Sequence, residues 1–189
     1  MRALKRCFIA IDIPAENSLP QLLKLLRKEF NASQINWVQP EKIHLTLAFL
    51  GEISDGQIDL TIKVLNEICL KFEPFNCNLK GFGSFGTKEK PTVLWIGVYV
   101  SRALYELKLK FDKGLEITGF NYDGKIFKPH LTLGRIKKFA NHAEYLQLTG
   151  KYKDFSFLNF EVRSVILYES ILSSSGPDYK PIKVFPLEG

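Results

Sequence analysis

The sequence has few residues of the kinds that carry covalent, redox or metal chemistry. Its 189 residues include three cysteines, three histidines and one methionine. Cys7, Cys69 and Cys77 are odd in number and form no Cys-x-x-Cys pair, which argues against a disulfide framework and a cysteine-rich zinc module. Free thiols used as small buried side chains are typical of a reducing compartment, so we expect a cytoplasmic protein.

The sequence also lacks any long apolar run. A helix that spans a bilayer needs about 20 predominantly apolar residues, and the apolar runs here are only long enough for strands. We therefore expect no membrane contact. The net charge of +6 permits an anionic partner such as nucleic acid but does not require one.

Two of the three histidines stand in the same tetrapeptide. His44-Leu45-Thr46-Leu47 is repeated as His130-Leu131-Thr132-Leu133. In a strand, side chains alternate between the two faces, so each histidine would share a face with its threonine while both leucines pack into the core. Ala48 and Gly134 would continue the polar face with almost no side chain and leave room for a ligand. The pattern predicts a cleft with two symmetrically placed histidines.

The segments around the two tetrapeptides follow one order: strand, helix, histidine strand, helix, strand. Apolar or alternating runs predict the strands, and apolar residues at helical spacing predict amphipathic helices. We predict strands at 7–13, 35–38, 43–50, 75–82, 93–100, the second tetrapeptide, 160–172 and 179–187. We predict helices at about 17–30, from a capping box at Ser54 and Gln57 to Phe72, from Ser101 to Gly119, and from Asn141 to Leu148.

This repeated order predicts an internal duplication, with pseudo-repeats of about 1–90 and 91–189. No linker of flexible composition separates them, so we expect residues 1–189 to form a single bilobal domain. The predicted fold class is α+β, with two mostly antiparallel sheets forming a central cleft and helices outside. The histidine strands would lie side by side across a pseudo-two-fold axis.

A pair of histidines facing one substrate can act as acid and base together. Imidazole has an ordinary pKa of about 6.5, and each proton transfer contributes typically about 10²–10⁴-fold. The pair suits in-line attack at phosphorus, where one ring activates water and the other protonates the departing oxygen. Thr46 and Thr132, one pleat repeat of roughly 6.6 Å from their histidines, are placed to donate to phosphate oxygens. The alternative, two ordinary core or edge histidines, is disfavoured by the repetition.

Other motifs are weaker. His142 is the only candidate for a third metal ligand, and the sequence has no His-x-His or His-Glu-x-x-His, so we expect no metal and a surface position for His142. Residues 81–86 match Gly-x-Gly-x-x-Gly, but Lys88 and a strand follow them instead of a helix, which excludes a Rossmann turn. We expect a mobile loop at the cleft mouth, with Phe82 or Phe85 stacking on a base, or a plain turn.

Arg135 begins the basic cluster that follows the second tetrapeptide. Strict alternation places it on the leucine face, opposite His130. It would reach a phosphate only if the strand ended or twisted there.

These motifs resemble the RNA 2′,3′-cyclic phosphodiesterase branch of the two-histidine phosphoesterase superfamily, also called the 2′-5′ RNA ligase family. The resemblance covers essentially the whole chain in the right order, and Thr92 departs from it where the family frequently has a basic residue. The matching segments are Phe8–Pro14, Trp37–Pro40, His44–Gly51, Pro91–Val98, Phe127–Arg135, Leu167–Ser170 and Gly176–Tyr179.

The resemblance implies cofactor-free, metal-independent hydrolysis of a 2′,3′-cyclic phosphate at an RNA or nucleotide end, giving a 2′-phosphate. By motif position, His44 would donate a proton to the leaving 3′ oxygen and His130 would accept one from water. Thr46 and Thr132 would hold phosphate oxygens, and Arg135 matches the arginine that often follows the second motif. We expect a monomer. Two alternatives stay open: 2′-5′ RNA ligation, and an RNA-end binding module without turnover.

Overall fold

The structure is a computed structural model, and it describes residues 4–14, 19–31, 33–87, 89–99, 101–117, 126–138, 140, 142–174 and 176–189. Within these residues the chain forms nine strands and four α-helices. The strands are β1 Lys5–Asp12, β2 Gln34–Trp37, β3 His44–Ile53, β4 Phe75–Gly86, β5 Pro91–Tyr99, β6 His130–Lys138, β7 Ser156–Val162, β8 Ser164–Ser173 and β9 Gly176–Pro186. The helices are α1 Leu19–Glu29, α2 Asp55–Cys69, α3 Arg102–Ile117 and α4 His142–Lys151, and a 3₁₀ turn spans Pro40–Lys42.

The strands form one antiparallel sheet in the order β7-β4-β5-β6-β3-β1-β8-β9, with β2 paired to β6. Its two halves meet at the histidine strands β3 and β6. Among the described residues, these two strands share one pair of facing residues, Leu45 and Leu131. The α+β class with antiparallel strands and adjacent histidine strands is confirmed. The two expected sheets are joined at this pair, so the cleft lies where one sheet divides.

The pair that joins the halves consists of equivalent residues of the two tetrapeptides. Because β3 and β6 run antiparallel and Leu45 faces Leu131, a local two-fold axis passes between these leucines. Strands from both sides of residue 90 enter each half: β8 pairs with β1, while β2 and β4 join β6 and β5. The pseudo-repeat boundary near residue 90 stays a prediction.

The helices and the leucine face of the sheet share one core. Leu45 and Leu131 are fully buried in a cluster that also contains the apolar stripes of α1, α2 and α3. The capping box of α2 is present, since the Ser54 hydroxyl accepts from the backbone N–H of Gln57 and the Gln57 side chain accepts from the N–H of Ser54. The opposite face of the sheet, which carries the histidines, is therefore the face of the cleft.

The predicted strand 160–172 is wrong as a single element. The chain changes sheet partner at Arg163: β7 before it pairs with β4, and β8 after it pairs with β1, in the other half of the sheet. The apolar pattern is continuous through this point. The pattern indicates that both segments are buried, but it does not indicate the strand with which each segment pairs.

The predicted glycine-rich loop at 81–86 is also wrong. These residues are the second half of β4 and pair with β5. Gly83 is required because a Cβ there would lie 2.6 Å from the ring of Trp95. Phe82 is buried in the core, which excludes it from base stacking. Lys88, Gly119 and Asn141, which marked a predicted turn or helix end, lie outside the described residues.

The three cysteines are free and buried. Burial raises the pKa of Cys7 and Cys77 to about 11 and that of Cys69 to about 12, so these thiols are poor nucleophiles. In the part of the chain that the structure describes, no helix is long and apolar enough to cross a membrane.

Leu45→Ala should test the junction of the sheet. Truncating this fully buried side chain removes contacts with Leu131 and leaves a cavity, so we expect a loss of about 2–5 kcal/mol in the free energy of unfolding, measured by urea denaturation. Leu172→Ala is the control: that side chain is 70% exposed, and its truncation should change stability by less than about 0.5 kcal/mol. Equal stability of the two variants would contradict the role of the junction.

Candidate active site

Each histidine of the tetrapeptides is held by a backbone carbonyl two residues earlier. The Nδ1–H of His44 donates to the carbonyl of Lys42 at 2.8 Å, and the Nδ1–H of His130 donates to the carbonyl of Lys128 at 2.6 Å. A carbonyl only accepts, so each neutral ring has its proton on Nδ1 and a free lone pair on Nε2. The two imidazoles therefore present the same atom for proton transfer.

A β-bulge interrupts β3 directly after Thr46. In the register with β1, Ala10 faces Thr46 but Ile9 faces Ala48, so Leu47 is the extra residue. A bulge of one residue reverses the alternation of side chains beyond it. Phe49, which faces Phe8, therefore lies on the same face as His44 and Thr46.

β6 has a bulge at the equivalent position. Trp95 of β5 faces Thr132 but Leu94 faces Gly134, so Leu133 is the extra residue. Beyond it Arg135 faces Val93, which shares a face of β5 with Trp95. Arg135 therefore lies on the histidine face and is exposed there, and the expectation from strict alternation is wrong.

The bulges also correct the positions of Ala48 and Gly134. Both were expected to extend the cleft face, and both lie buried on the leucine face instead. Gly134 is small for a different reason: a Cβ there would lie 2.8 Å from Cγ2 of Ile35 and 3.3 Å from the ring of Trp37. It lets β2 pair closely with β6.

The local two-fold axis arranges the tetrapeptides as a diagonal pair. With Leu45 opposite Leu131 in antiparallel strands, His44 lies nearest to Thr132, and His130 lies nearest to Thr46. Within the described residues, neither threonine hydroxyl has a protein hydrogen-bond partner, so both are available to a ligand. The quartet offers two imidazoles and two hydroxyls around one central position.

Aromatic rings surround His44. Its ring lies 4.9 Å from that of Phe8 and 5.1 Å, edge-on, from that of Tyr179. Phe8 also contacts Tyr168 and Phe49, at 5.2 Å and 6.2 Å between ring centroids. Phe8 is buried in this cluster, whereas Phe49 at its border remains 68% exposed.

The surroundings of His130 are different. Phe85 of β4 packs edge-on against its ring at 4.7 Å and touches Trp95 at 5.8 Å. Phe85 is thus one of the two phenylalanines expected near the cleft, but it lies on a paired strand and contacts an imidazole. It limits the rotation of the His130 ring.

Burial affects the protonation of His44. Desolvation is the largest influence and lowers the pKa of His44 below its ordinary value of 6.5, together with a smaller effect of His130. The Lys42 carbonyl and the Asp12 carboxylate act in the opposite direction and raise it. The influence of His130 on His44 means that a positive charge on the His130 ring disfavours one on His44, which suits a pair with one acid and one base.

The described residues contain no group of three or more His, Cys, Asp or Glu side chains arranged to hold a metal ion. His142 begins α4 and its ring packs on Tyr145, on an element apart from the tetrapeptides.

Sequence reasoning missed Phe49 and Asp12 as residues of the site. A signal for Phe49 existed, because Phe49 and Arg135 stand at the same spacing after their histidines. Asp12 had no such signal. Its proximity to His44 follows only from the pairing of β1 with β3.

The fold and the paired tetrapeptides define a two-histidine phosphoesterase, and comparison with known proteins agrees. The family model described as LigT like Phosphoesterase matches residues 11–95. The RNA 2′,3′-cyclic phosphodiesterase of Archaeoglobus fulgidus is 36% identical over 95% of this chain and 99% of its own. The chain belongs to the RNA 2′,3′-cyclic phosphodiesterase family of LigT-like phosphoesterases.

Solved structures show the same fold. TT0787 of Thermus thermophilus superposes with a TM-score of 0.80 at 26% identity, covering 97% of this chain and 98% of that one. E. coli LigT complexed with NADP+ superposes with a TM-score of 0.76 at 25% identity, covering 98% and 99%.

Proposed function

We propose that this protein hydrolyses 2′,3′-cyclic phosphates at the ends of RNA or nucleotides and produces 2′-phosphates without a metal or cofactor. The observation that carries the proposal is the pair of imidazoles fixed by Lys42 and Lys128 carbonyls on one cleft face. The Archaeoglobus fulgidus relative is an RNA 2′,3′-cyclic phosphodiesterase, which supports a cyclic phosphate as the substrate, and the E. coli LigT complex with NADP+ supports a nucleotide ligand.

The two histidines divide the reaction between them. Water attacks phosphorus while Nε2 of His130 accepts its proton, and the P–O3′ bond breaks while Nε2 of His44 donates a proton to O3′. The ring opens to a 3′-hydroxyl and a 2′-phosphate. One proton enters His130 and one leaves His44, so the pair returns to its starting state by exchange with solvent.

The polar groups of the cleft face stabilise the phosphate. The Thr46 and Thr132 hydroxyls donate to its non-bridging oxygens, and the Arg135 guanidinium offers two parallel donors to the charge that develops on attack. This assignment requires Arg135 to lie on the histidine face, which the bulge at Leu133 supports.

Phe49 serves as a platform for the terminal base. The Phe49 ring is 68% exposed at the border of an aromatic cluster. Exposure of an apolar ring to water is unfavourable, and a stacked base would cover this ring. Stacking contributes about 1–3 kcal/mol per base and tolerates any base, because each has a π-face. Phe49 occupies the position after the first motif that Arg135 occupies after the second. The nucleoside of the substrate would therefore contact Phe49, and its charged phosphate would contact Arg135.

The same geometry supports a monomer, because both histidines, both threonines and Arg135 come from one chain. We propose the cytoplasm as its location, since its three thiols are free and RNA ends are available there.

The reaction is tested by incubating RNA that ends in a 2′,3′-cyclic phosphate with the enzyme in EDTA. We expect a 2′-phosphate product and no loss of rate from the chelator. His44→Ala and His130→Ala should each lose at least about 100-fold in turnover, since each removes one proton transfer. His142→Ala, which alters the histidine outside the cleft, is the control and should retain the parent rate.

Four results would count against this proposal. Full activity of either cleft variant would exclude the two-histidine mechanism, and a 3′-phosphate product would reverse the leaving group. Joining to an added 5′-hydroxyl RNA through a 2′-5′ bond, without hydrolysis, would favour the ligase alternative. Binding of a 2′-phosphorylated nucleotide without turnover would favour the binding module.

Arg135→Gln should lower kcat by about 100-fold and change KM little, because the guanidinium acts mainly on charge that develops in the transition state. Steady-state kinetics on the cyclic phosphate measure this. Lys138→Gln, an exposed cation at the end of the same strand, is the control for net charge and should lose less than about threefold. Equal losses in both variants would point to general electrostatic attraction instead.

Phe49→Leu should raise KM for a nucleoside 2′,3′-cyclic phosphate by about tenfold, the equivalent of about 1.4 kcal/mol of lost stacking. Phe49→Trp should restore or improve the KM, since indole also stacks. Leu172→Ala, which shortens another exposed apolar side chain, controls for a change in surface hydrophobicity. An unchanged KM in Phe49→Leu would exclude the stacking role.

A further inference from the structure

The local two-fold symmetry makes the two histidines equivalent in most respects. Each is held by the carbonyl two residues earlier, each shares its face with a threonine, and each strand bulges at the same position. The symmetry therefore does not by itself decide which imidazole is the acid. That decision requires a group near one histidine that has no counterpart near the other.

The neighbouring strands supply such a difference. On β1, the residue paired with His44 is Asp12. On β5, the residue paired with His130 is Gly97. Paired residues of antiparallel strands project their side chains to the same face, so a carboxylate accompanies His44 where His130 has only a hydrogen atom.

Asp12 is held in place from the other side. The Tyr168 hydroxyl on β8 donates to Oδ2 of Asp12 at 2.7 Å. Burial first, and then this hydrogen bond and the charge of Asp12, raise the pKa of Tyr168, so the phenol keeps its proton and acts as the donor. Since Nδ1 of His44 is occupied by the Lys42 carbonyl, Asp12 acts on the imidazole through its charge and not by orienting the ring.

Several other titratable groups lie near His44. They line a cavity of about 200 Å³ beside the ring. Lys42 and Asp178 form an ion pair at 2.8 Å, which reduces the net effect of both. Of the charged groups around the ring, Asp12 is the one whose negative charge raises the pKa of His44. The facing titratable groups are Asp12 on β1, Glu41 and Lys42 on the 3₁₀ turn, His130 on β6, Tyr168 on β8, and Asp178 and Tyr179 on β9.

We propose that Asp12, held by Tyr168, is a positioning residue that favours His44 over His130 as the acid, because its carboxylate stabilises the protonated ring of His44. This inference rests on the proposed function. The carboxylate offsets part of the desolvation of His44, which would otherwise favour a neutral ring and a second base. The apolar surroundings of His44 strengthen the effect, because the charge is screened less there than in water.

The test variant is Asp12→Asn, which keeps the size of the side chain and an acceptor for Tyr168 but removes the charge. Removing a group that raises the pKa of His44 must lower that pKa, so the alkaline limb of the kcat/KM profile should move to lower pH. At pH 7.5 we expect kcat to fall about tenfold, a part of what a general acid contributes, with KM changed less than twofold. NMR titration of the histidine ring protons measures the pKa of His44 directly.

Three comparisons make the test specific. In the same spectra, the titration of His130 should move less than that of His44. Asp12→Glu restores a carboxylate and should recover most of the kcat and the pH profile. Tyr168→Phe keeps the charge and releases the tether, so its loss should be smaller than that of Asp12→Asn. The urea midpoint of each variant identifies any loss caused by unfolding.

An unchanged His44 titration in Asp12→Asn would overturn the inference, and so would a kcat loss that is equal at every pH with no movement of the limb, since that indicates a purely structural role. Neither outcome affects the proposed hydrolysis. Full activity of His44→Ala is a failure of the proposed function instead, and the NMR titration distinguishes the two cases because it needs no substrate.

Discussion

The pairing of Leu45 with Leu131 is the contact on which the site depends. It joins the two halves of the sheet at a single recorded position and buries both side chains completely. Because the strands are antiparallel and the paired residues are equivalent, the contact also sets the diagonal arrangement of imidazoles and hydroxyls on the opposite face. Beyond it, β6 pairs with β2 and β3 with β1, so the strands separate and a cleft opens. One buried apolar contact thus determines the geometry of a polar site.

The equivalent bulges at Leu47 and Leu133 place one further side chain beyond each tetrapeptide on the histidine face. Each adds one residue after the threonine and reverses the alternation that follows. As a result the fifth residue after each histidine, Phe49 or Arg135, returns to the cleft face. One of these positions has an exposed aromatic ring and the other has a cation. Two equivalent backbone irregularities therefore present two different side chains on the same face, and the proposed function assigns them to two chemically different parts of a nucleotide.

The symmetric backbone and the asymmetric side chains have separate roles. The symmetric features, which are the carbonyl tethers, the threonines and the bulges, place two identical imidazoles on one face of the sheet, where we propose that the phosphate binds. The departures from symmetry give the imidazoles different surroundings. Asp12 near His44 corresponds to Gly97 near His130, and Phe49 after the first motif corresponds to Arg135 after the second. A reaction with one leaving group and one nucleophile is directional, and side-chain differences of this kind are the means by which a two-fold frame can support it.

Much of the fold was predictable from residue patterns. The repeated tetrapeptide, the helical spacing of apolar residues and the capping box at Ser54 are local signals, and the histidine strands and helices were found where these signals lie. Predictions failed where the outcome depended on the partner of a strand. The change of sheet at Arg163 follows from pairing with β4 and β1, which are far away in the chain. The strand conformation of 81–86 follows from a hairpin with the next strand, β5, which the glycines of this segment concealed.

The sequence by itself determined that two histidines and two threonines share one strand face, because alternation within four residues is a local property of the backbone. Only the tertiary structure decided the side on which Arg135 lies and the neighbour that His44 has. A bulge is defined by the residues on the strand opposite, and the proximity of Asp12 to His44 arises from the register of β1 with β3. Both depend on contacts between segments whose pairing no single stretch of sequence encodes.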